Sequence, residues 1–86
     1  MNNNSLDLFC EKPCRFRMLG GHDIYGVVWK DTTEDGRNYY FSSSEEYNTI
    51  QQFGKPKKQD RTPINIDDIV AAEMLQGIIP GKDMFK

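Results

Sequence analysis

Few residues in this chain of 86 have both the type and the spacing to do chemistry. Two thiols, Cys10 and Cys14, have three residues between them, and the single histidine, His22, stands beside Asp23. A structural zinc site takes four ligands, usually as two closely spaced Cys or His pairs, and one pair and one His fall short of that. Nucleophilic catalysis by Cys and His needs a thiol within hydrogen-bond reach of the imidazole, and nothing in the spacing brings Cys10 or Cys14 to His22. Cys14 therefore reads as a small core residue, Cys10 as an incidental thiol, and His22–Asp23 as turn residues. No Gly-rich phosphate loop, metalloprotease helix or paired-carboxylate motif is present. The expectation is a protein that is not an enzyme, with no catalytic residue, no metal site and no cofactor.

Binding chemistry has more to work with. Lys55, Lys57, Lys58 and Arg61 crowd one short stretch, and Arg15 and Arg17 alternate on another. Joined to exposed Tyr25 and Trp29, they would suit single-stranded nucleic acid, in which bases stack on aromatics and cations follow phosphates. Against this, the net charge is −2 and the pI about 5.3. Asp31, Glu34, Asp35, Glu45 and Glu46 form a comparable acidic group, so the lysine run also reads as a solvated loop. The second candidate is aromatic. If Ile24, Val28, Tyr39 and Phe41 point into a core, then Tyr25, Val27, Trp29 and Tyr40 point out. Aromatic side chains of roughly 150–250 Å² each would make Tyr25, Trp29 and Tyr40 a patch as large as a monomer tolerates. Either a partner covers that patch, or the chain's own helix or N-terminal segment does.

The elements that must position these residues follow from period and punctuation. Phe16 to Asp31 alternates on both sides of Gly20-Gly21 and reads as a hairpin, with strands at about Cys14–Leu19 and Ile24–Lys30. The second of these is apolar on both faces and has to be covered twice. Asp31 to Gly36 is a polar loop ending in Asp-Gly, and Arg37–Ser42, with Tyr39, Tyr40 and Phe41, is the third strand. Ser43 with Glu46 has capping-box spacing, Tyr47, Ile50 and Phe53 form a narrow stripe, and Gly54 is placed as a C-terminal cap, which predicts one short helix. Lys55 to Pro63 is an exposed loop. Ile64-Asn65-Ile66 alternates as a strand. For the stretch from Asp67 to Leu75, propensity favours a helix and alternation a 3₁₀ turn at Asp67–Ile69 followed by a last strand. Residues 1–5 are polar and expected to be disordered, and Leu6, Leu8 and Phe9 to dock as a short strand or a helical turn.

Phe16-x-Met18-x-x-Gly21-x-x-Ile24-x-Gly26-x-Val28 is similar to the first two strands of Sm-like and other SH3-like small β-barrels. There the inner glycine lets the strand bend, as a strand glycine does on physical grounds. Ile64-x-Ile66-x-x-Ile69-x-x-Ala72 resembles the fourth strand, 3₁₀ turn and closing strand, which tips the ambiguous stretch toward a strand. The resemblance implies a mainly β fold, a five-stranded SH3-like (Sm-like) barrel with one short helix between strands three and four. It does not carry the Sm RNA pocket: Asp31 precedes a longer loop, Asn38 is off the expected spacing, and no late Arg-Gly exists.

Eighty-six residues with 37% apolar content make one small domain with little apolar material to spare. The division is an N-terminal extension at 1–13, a barrel at 14–76 and a loose tail at 77–86. No signal-peptide pattern and no membrane-length segment stands in the sequence, so a cytoplasmic location with reduced thiols is expected. The functional expectation is a non-catalytic binding module that meets a protein partner or forms a homo-oligomer through Tyr25, Trp29 and Tyr40, with no membrane contact. The alternatives are a nucleic-acid binder using Arg15, Arg17, Lys55, Lys57, Lys58 and Arg61, and an oligomer with small-ligand pockets between copies.

Overall fold

The structure is a computed structural model and describes residues 3–31 and 38–75. In chain order the elements are α1 (Asn3–Asp7), β1 (Cys14–Met18), β2 (Asp23–Lys30), β3 (Tyr39–Ser42), α2 (Ser44–Phe53), β4 (Pro63–Ile64) and β5 (Ile69–Met74). Single 3₁₀ turns at Lys58–Asp60 and Ile66–Asp68 precede β4 and β5. The loop expected at 32–36, Arg37 at the start of the third strand, and the tail from 77 lie outside the described residues.

All five strands pair antiparallel in one sheet, in the order β4-β3-β2-β1-β5. The fold is mainly β. Among the described residues β4 and β5 are its two edges, so hydrogen bonding there does not close the sheet into a barrel.

β2 organises the sheet by dividing its length. Asp23–Gly26 pairs with β1, and Val27–Lys30 pairs with β3. The handover falls at Gly26. A Cβ there would overlap the Ser42 carbonyl oxygen and sit 2.7 Å from Cζ of Phe41. Only a residue without a side chain lets β3 cross this closely, which is the physical content of the strand glycine noted above.

The main core lies on one face of the sheet. Phe16, Cys14, Val28, Tyr39 and Ile69 are buried there, and Leu6 of α1 is fully buried among them. Residues 3–5 are thus helical where disorder was expected, and Leu6 docks on the core in a helical turn, one of the two forms expected for it. Asp7 fastens it, accepting a hydrogen bond from the Tyr39 hydroxyl at 3.1 Å and pairing with Lys30 at 3.3 Å. After α1 the chain reverses through Glu11, whose φ of 67° is unusual for a residue with a side chain. Its N–H donates to the Val28 carbonyl at 2.8 Å.

α2 carries the caps its sequence announces. Ser43 Oγ accepts from the Glu46 N–H at 3.0 Å, Glu46 returns the bond to the Ser43 N–H at 2.8 Å, and Gly54 leaves the helix at φ 99°. The stretch after Ile66 resolves as 3₁₀ turn then strand, so alternation and pairing with β1 override its helix propensity. β1 ends one residue earlier than expected, β2 begins one residue earlier, and β4 is Pro63–Ile64 where Ile64–Ile66 was expected.

Candidate functional site

Sequence reasoning placed Tyr25, Trp29 and Tyr40 on one outer surface. The structure separates them. Trp29 is 2% exposed and Tyr40 6%, whereas Tyr25 is 60% exposed. The second face of β2 and β3 is covered by α2, as in one of the two arrangements weighed above, and also by the 54–62 segment.

Arg61 completes this small second core. Its guanidinium lies over the rings of Trp29, at 5.4 Å, and Tyr40, at 5.1 Å. It pairs with Asp31 at 3.1 Å, and its Nε donates to the Pro56 carbonyl at 2.9 Å. The side chains of both partners are more than nine-tenths buried. Burial works against the charge of Arg61, but hydrogen bonds to Tyr40 and Asp31 and the charge of Asp31 outweigh it, so its pKa stands above the ordinary value. Trp29 satisfies its own indole N–H on Ser42 Oγ at 3.0 Å and stacks at a tilt on Tyr40. Arg61 was grouped with the solvated cations because its neighbours are Lys, Gln, Asp and Thr. Nothing local marks it as buried, and only Asp31, thirty positions earlier, supplies the reason.

Beside this cluster runs a groove of about 290 Å³ between α2 and the 54–62 segment, lined by Trp29, Phe41, Ile50 and Pro56 with Glu46 and Asp60 at its polar side. It lies at the lower end of the size range of small-molecule sites.

The other basic residues are disposed in two ways. Lys55, Lys57 and Lys58 are exposed. Arg15 and Arg17 occupy the outer face of β1 and are already paired: Arg15 to Glu73 at 2.7 Å and to Asp23 at 3.8 Å, and Arg17 to Asp23 through its Nε. The hydrogen bond from Arg17, with the charges of both arginines, holds the Asp23 carboxyl below its usual range. The six basic residues therefore do not form one stripe of free charge.

On that same face Tyr25 stands opposite Arg15, with Ala71 and Glu73 on β5 opposite Arg17 and Arg15. Leu19 is 70% exposed and Val70 56%, beyond the end of this row. The face is a lattice of paired charges around one aromatic ring, with small and apolar residues along the β5 side.

The thiols are dull. Cys14 is fully buried and its Sγ lies 3.6 Å from the Phe9 carbonyl; burial raises its pKa. Burial first, then the charge of Asp7, pushes the Cys10 thiol up to about 11, away from the reactive range. No group of three or more His, Cys, Asp or Glu is placed to hold a metal ion among the described residues, and no helix there is long and apolar enough to cross a membrane.

No family model, no curated protein and no solved structure matches the chain.

Proposed function

We propose that this chain is a non-catalytic binding module of the small SH3-like or Sm-like type, acting through protein–protein contacts on the outer face of β2, β1 and β5. The strand order supports the type, because the last strand returns to lie beside the first. One observation carries the functional reading. Tyr25 is 60% exposed in the middle of a strand whose next four residues are all buried. A rigid aromatic on a sheet, framed by arginines that neighbouring carboxylates already hold in place, is the kind of residue that anchors protein interfaces. Truncating such an anchor costs a complex about 2 kcal/mol or more.

Nucleic-acid binding is the weaker reading, because Arg61 is turned inward and Arg15 and Arg17 spend their charge on Asp23 and Glu73. The groove beside Trp29 keeps a small ligand in third place.

The test is site-specific photocrosslinking in the source cell. A photoreactive residue at Tyr25 is expected to give a discrete protein adduct that added wild-type chain competes away and a Tyr25→Ser chain does not. The same residue at Phe53, 82% exposed on α2, is the control. Equal adducts at both positions overturn the reading. An adduct that nuclease removes, weakened by added salt and by Lys57→Glu with Lys58→Glu, would favour the nucleic-acid alternative.

A further inference from the structure

The groove between α2 and the 54–62 segment has polar groups to spare, and nearly all of them are acceptors. Among the described residues Arg61 is the one basic side chain lining it, and Arg61 is spent. Its guanidinium holds Asp31 and lies over two rings, and its Nε donates to the Pro56 carbonyl. Ser42 Oγ is taken by the Trp29 indole N–H. Thr49 Oγ1 donates to the Glu45 carbonyl at 3.3 Å, so toward the groove it can only accept. Glu46 gives one carboxylate oxygen to the Ser43 N–H and keeps the other. The Asp60 carboxylate has no hydrogen-bond or ion-pair partner among the described residues. Lys57 and Lys58 stand near Asp60 in the chain but do not line the groove.

The rest of the lining is apolar: Phe41, Ile50 and Pro56, all half-buried, with Trp29 beneath. An apolar cavity of about 150 Å³ holds benzene, so about 290 Å³ leaves room for one ring and a short arm. α2 buries none of its own residues. A second cavity, of about 330 Å³, lies along its Tyr47 and Gln51 side and shares Trp29 and Ile50 with the first. The two cavities differ in charge. The second is lined by Lys30 and Lys55, and its acidic residue, Glu11, is hydrogen-bonded to Tyr47. A cation is therefore drawn to the first and turned away from the second.

We infer that the groove beside Trp29 binds a small protonated amine, its ammonium held by Glu46 and Asp60 and its apolar body laid on Phe41, Ile50 and Pro56. This is a second site, apart from the Tyr25 surface, and does not depend on it. The class of ligand follows from what the lining leaves unmet. An ammonium has three donors and no acceptor, which matches a wall of acceptors; a carboxylate or phosphate would meet Glu46 and Asp60 with like charge and find Arg61 already engaged. A neutral ring would gain the apolar contact alone. A few polar groups at one side of an apolar cleft is the usual division of labour in small-molecule sites: the cleft supplies affinity and the polar groups fix orientation.

The experiment titrates the full chain at pH 7 with three probes of one shape: 2-phenylethylamine, the neutral 2-phenylethanol and the anionic 3-phenylpropionate. Emission from Trp29, the single tryptophan, and backbone amide NMR shifts are the readouts. The amine is expected to bind with a Kd on the order of millimolar, more tightly than the alcohol, and the acid most weakly. Shifts should centre on Ile50, Gly54 and Asp60 and spare Tyr25. Glu46→Gln keeps the capping box and Asp60→Asn the shape of the turn, so both proteins should fold. Each change should weaken the amine by about 1.4-fold to 5-fold, and both together by about 2-fold to 30-fold, leaving the alcohol unmoved. A wild type that does not respond to the amine overturns the inference. So does an alcohol or acid that binds as tightly as the amine, or an amine that the double variant holds as well as wild type. A wild-type dimer that the double variant dissolves would also overturn it, giving the groove to a lysine of a second copy.

Discussion

Arg61 offers the sharpest perturbation, because two views of the same residue predict different numbers. As one cation in a solvated lysine-rich loop, its replacement by Ala would change stability by no more than about 0.5 kcal/mol. As placed here, Arg61→Ala strands Asp31, a carboxylate whose side chain is 9% exposed, without its partner. Breaking a buried ion pair from one side costs about 3–5 kcal/mol. Two ring contacts at 5.4 and 5.1 Å and the bond to Pro56 are lost as well. A chain of this length has a total stability on the order of 4–13 kcal/mol, so the single change removes roughly a quarter of it or more. In a domain this small each kcal/mol moves the midpoint by about 4–8 °C, giving a drop of roughly 12–40 °C. The assay is thermal and urea unfolding followed by circular dichroism and Trp29 emission, which should shift red as the lid over the indole is lost. The companion variant is Arg61→Met with Asp31→Leu. Removing both charges together should restore most of the stability, since a well-packed apolar pair replaces a buried ion pair at little or no cost. An Arg61→Ala protein within 1 kcal/mol of wild type, with unshifted emission, would refute the placement of Arg61 and the second core with it.

Other expectations follow from the same packing. Gly26→Ala should cost about 1–3 kcal/mol or more, since its Cβ meets the Ser42 backbone and the Phe41 ring, and the small entropic gain of losing a glycine cannot offset that; a midpoint within 2 °C of wild type would argue against the close crossing. Leu6→Ala should cost about 2–5 kcal/mol and Leu8→Ala almost nothing in urea titrations, because Leu6 is fully buried and Leu8 is 64% exposed; equal effects would detach α1 from the core. Cys10, raised from 9.0 to about 11, should alkylate about tenfold more slowly at pH 8.5 in the folded chain than in urea, after allowing for the greater intrinsic nucleophilicity of the weaker acid. A thiol whose folded pKa is raised stabilises the fold fully below pH 9 and loses that contribution as pH climbs toward 11, so unfolding titrations should show stability falling across that window and Cys10→Ser should flatten the fall.

How much of this was readable beforehand depended on whether the cause was local. The capping box at Ser43 and Glu46 and the cap at Gly54 are interactions within a dozen residues, and they appear where the spacing put them. The alternation that assigned Phe16 and Val28 to one face and Trp29 and Tyr40 to the other also held, because strand parity is a property of each strand alone. What the pattern could not decide was which outward residues stay outward. That depended on Arg61 meeting Trp29 and Tyr40, contacts that span more than 20 residues and leave no local signature. The burial of Leu6 and its anchoring by Asp7 to Tyr39 have the same origin.

The division of β2 explains why the candidate surfaces ended up where they are. A strand apolar on both faces needs two covers, and β2 receives the second one only along Val27–Lys30, the half that pairs with β3. Its first half pairs with β1, and there the outer face carries Tyr25 and the Arg–Asp–Glu lattice without α2 above it. A chain with so little apolar material sets α2 beside Trp29 and Phe41 and lays Arg61 over Trp29 and Tyr40. The opposite end of the sheet is left with a thin covering of paired charges. The open surface thus falls at that end of the molecule, around Tyr25. Contact with a partner at that end would complete, for the first half of β2, the covering that α2 already provides for the second.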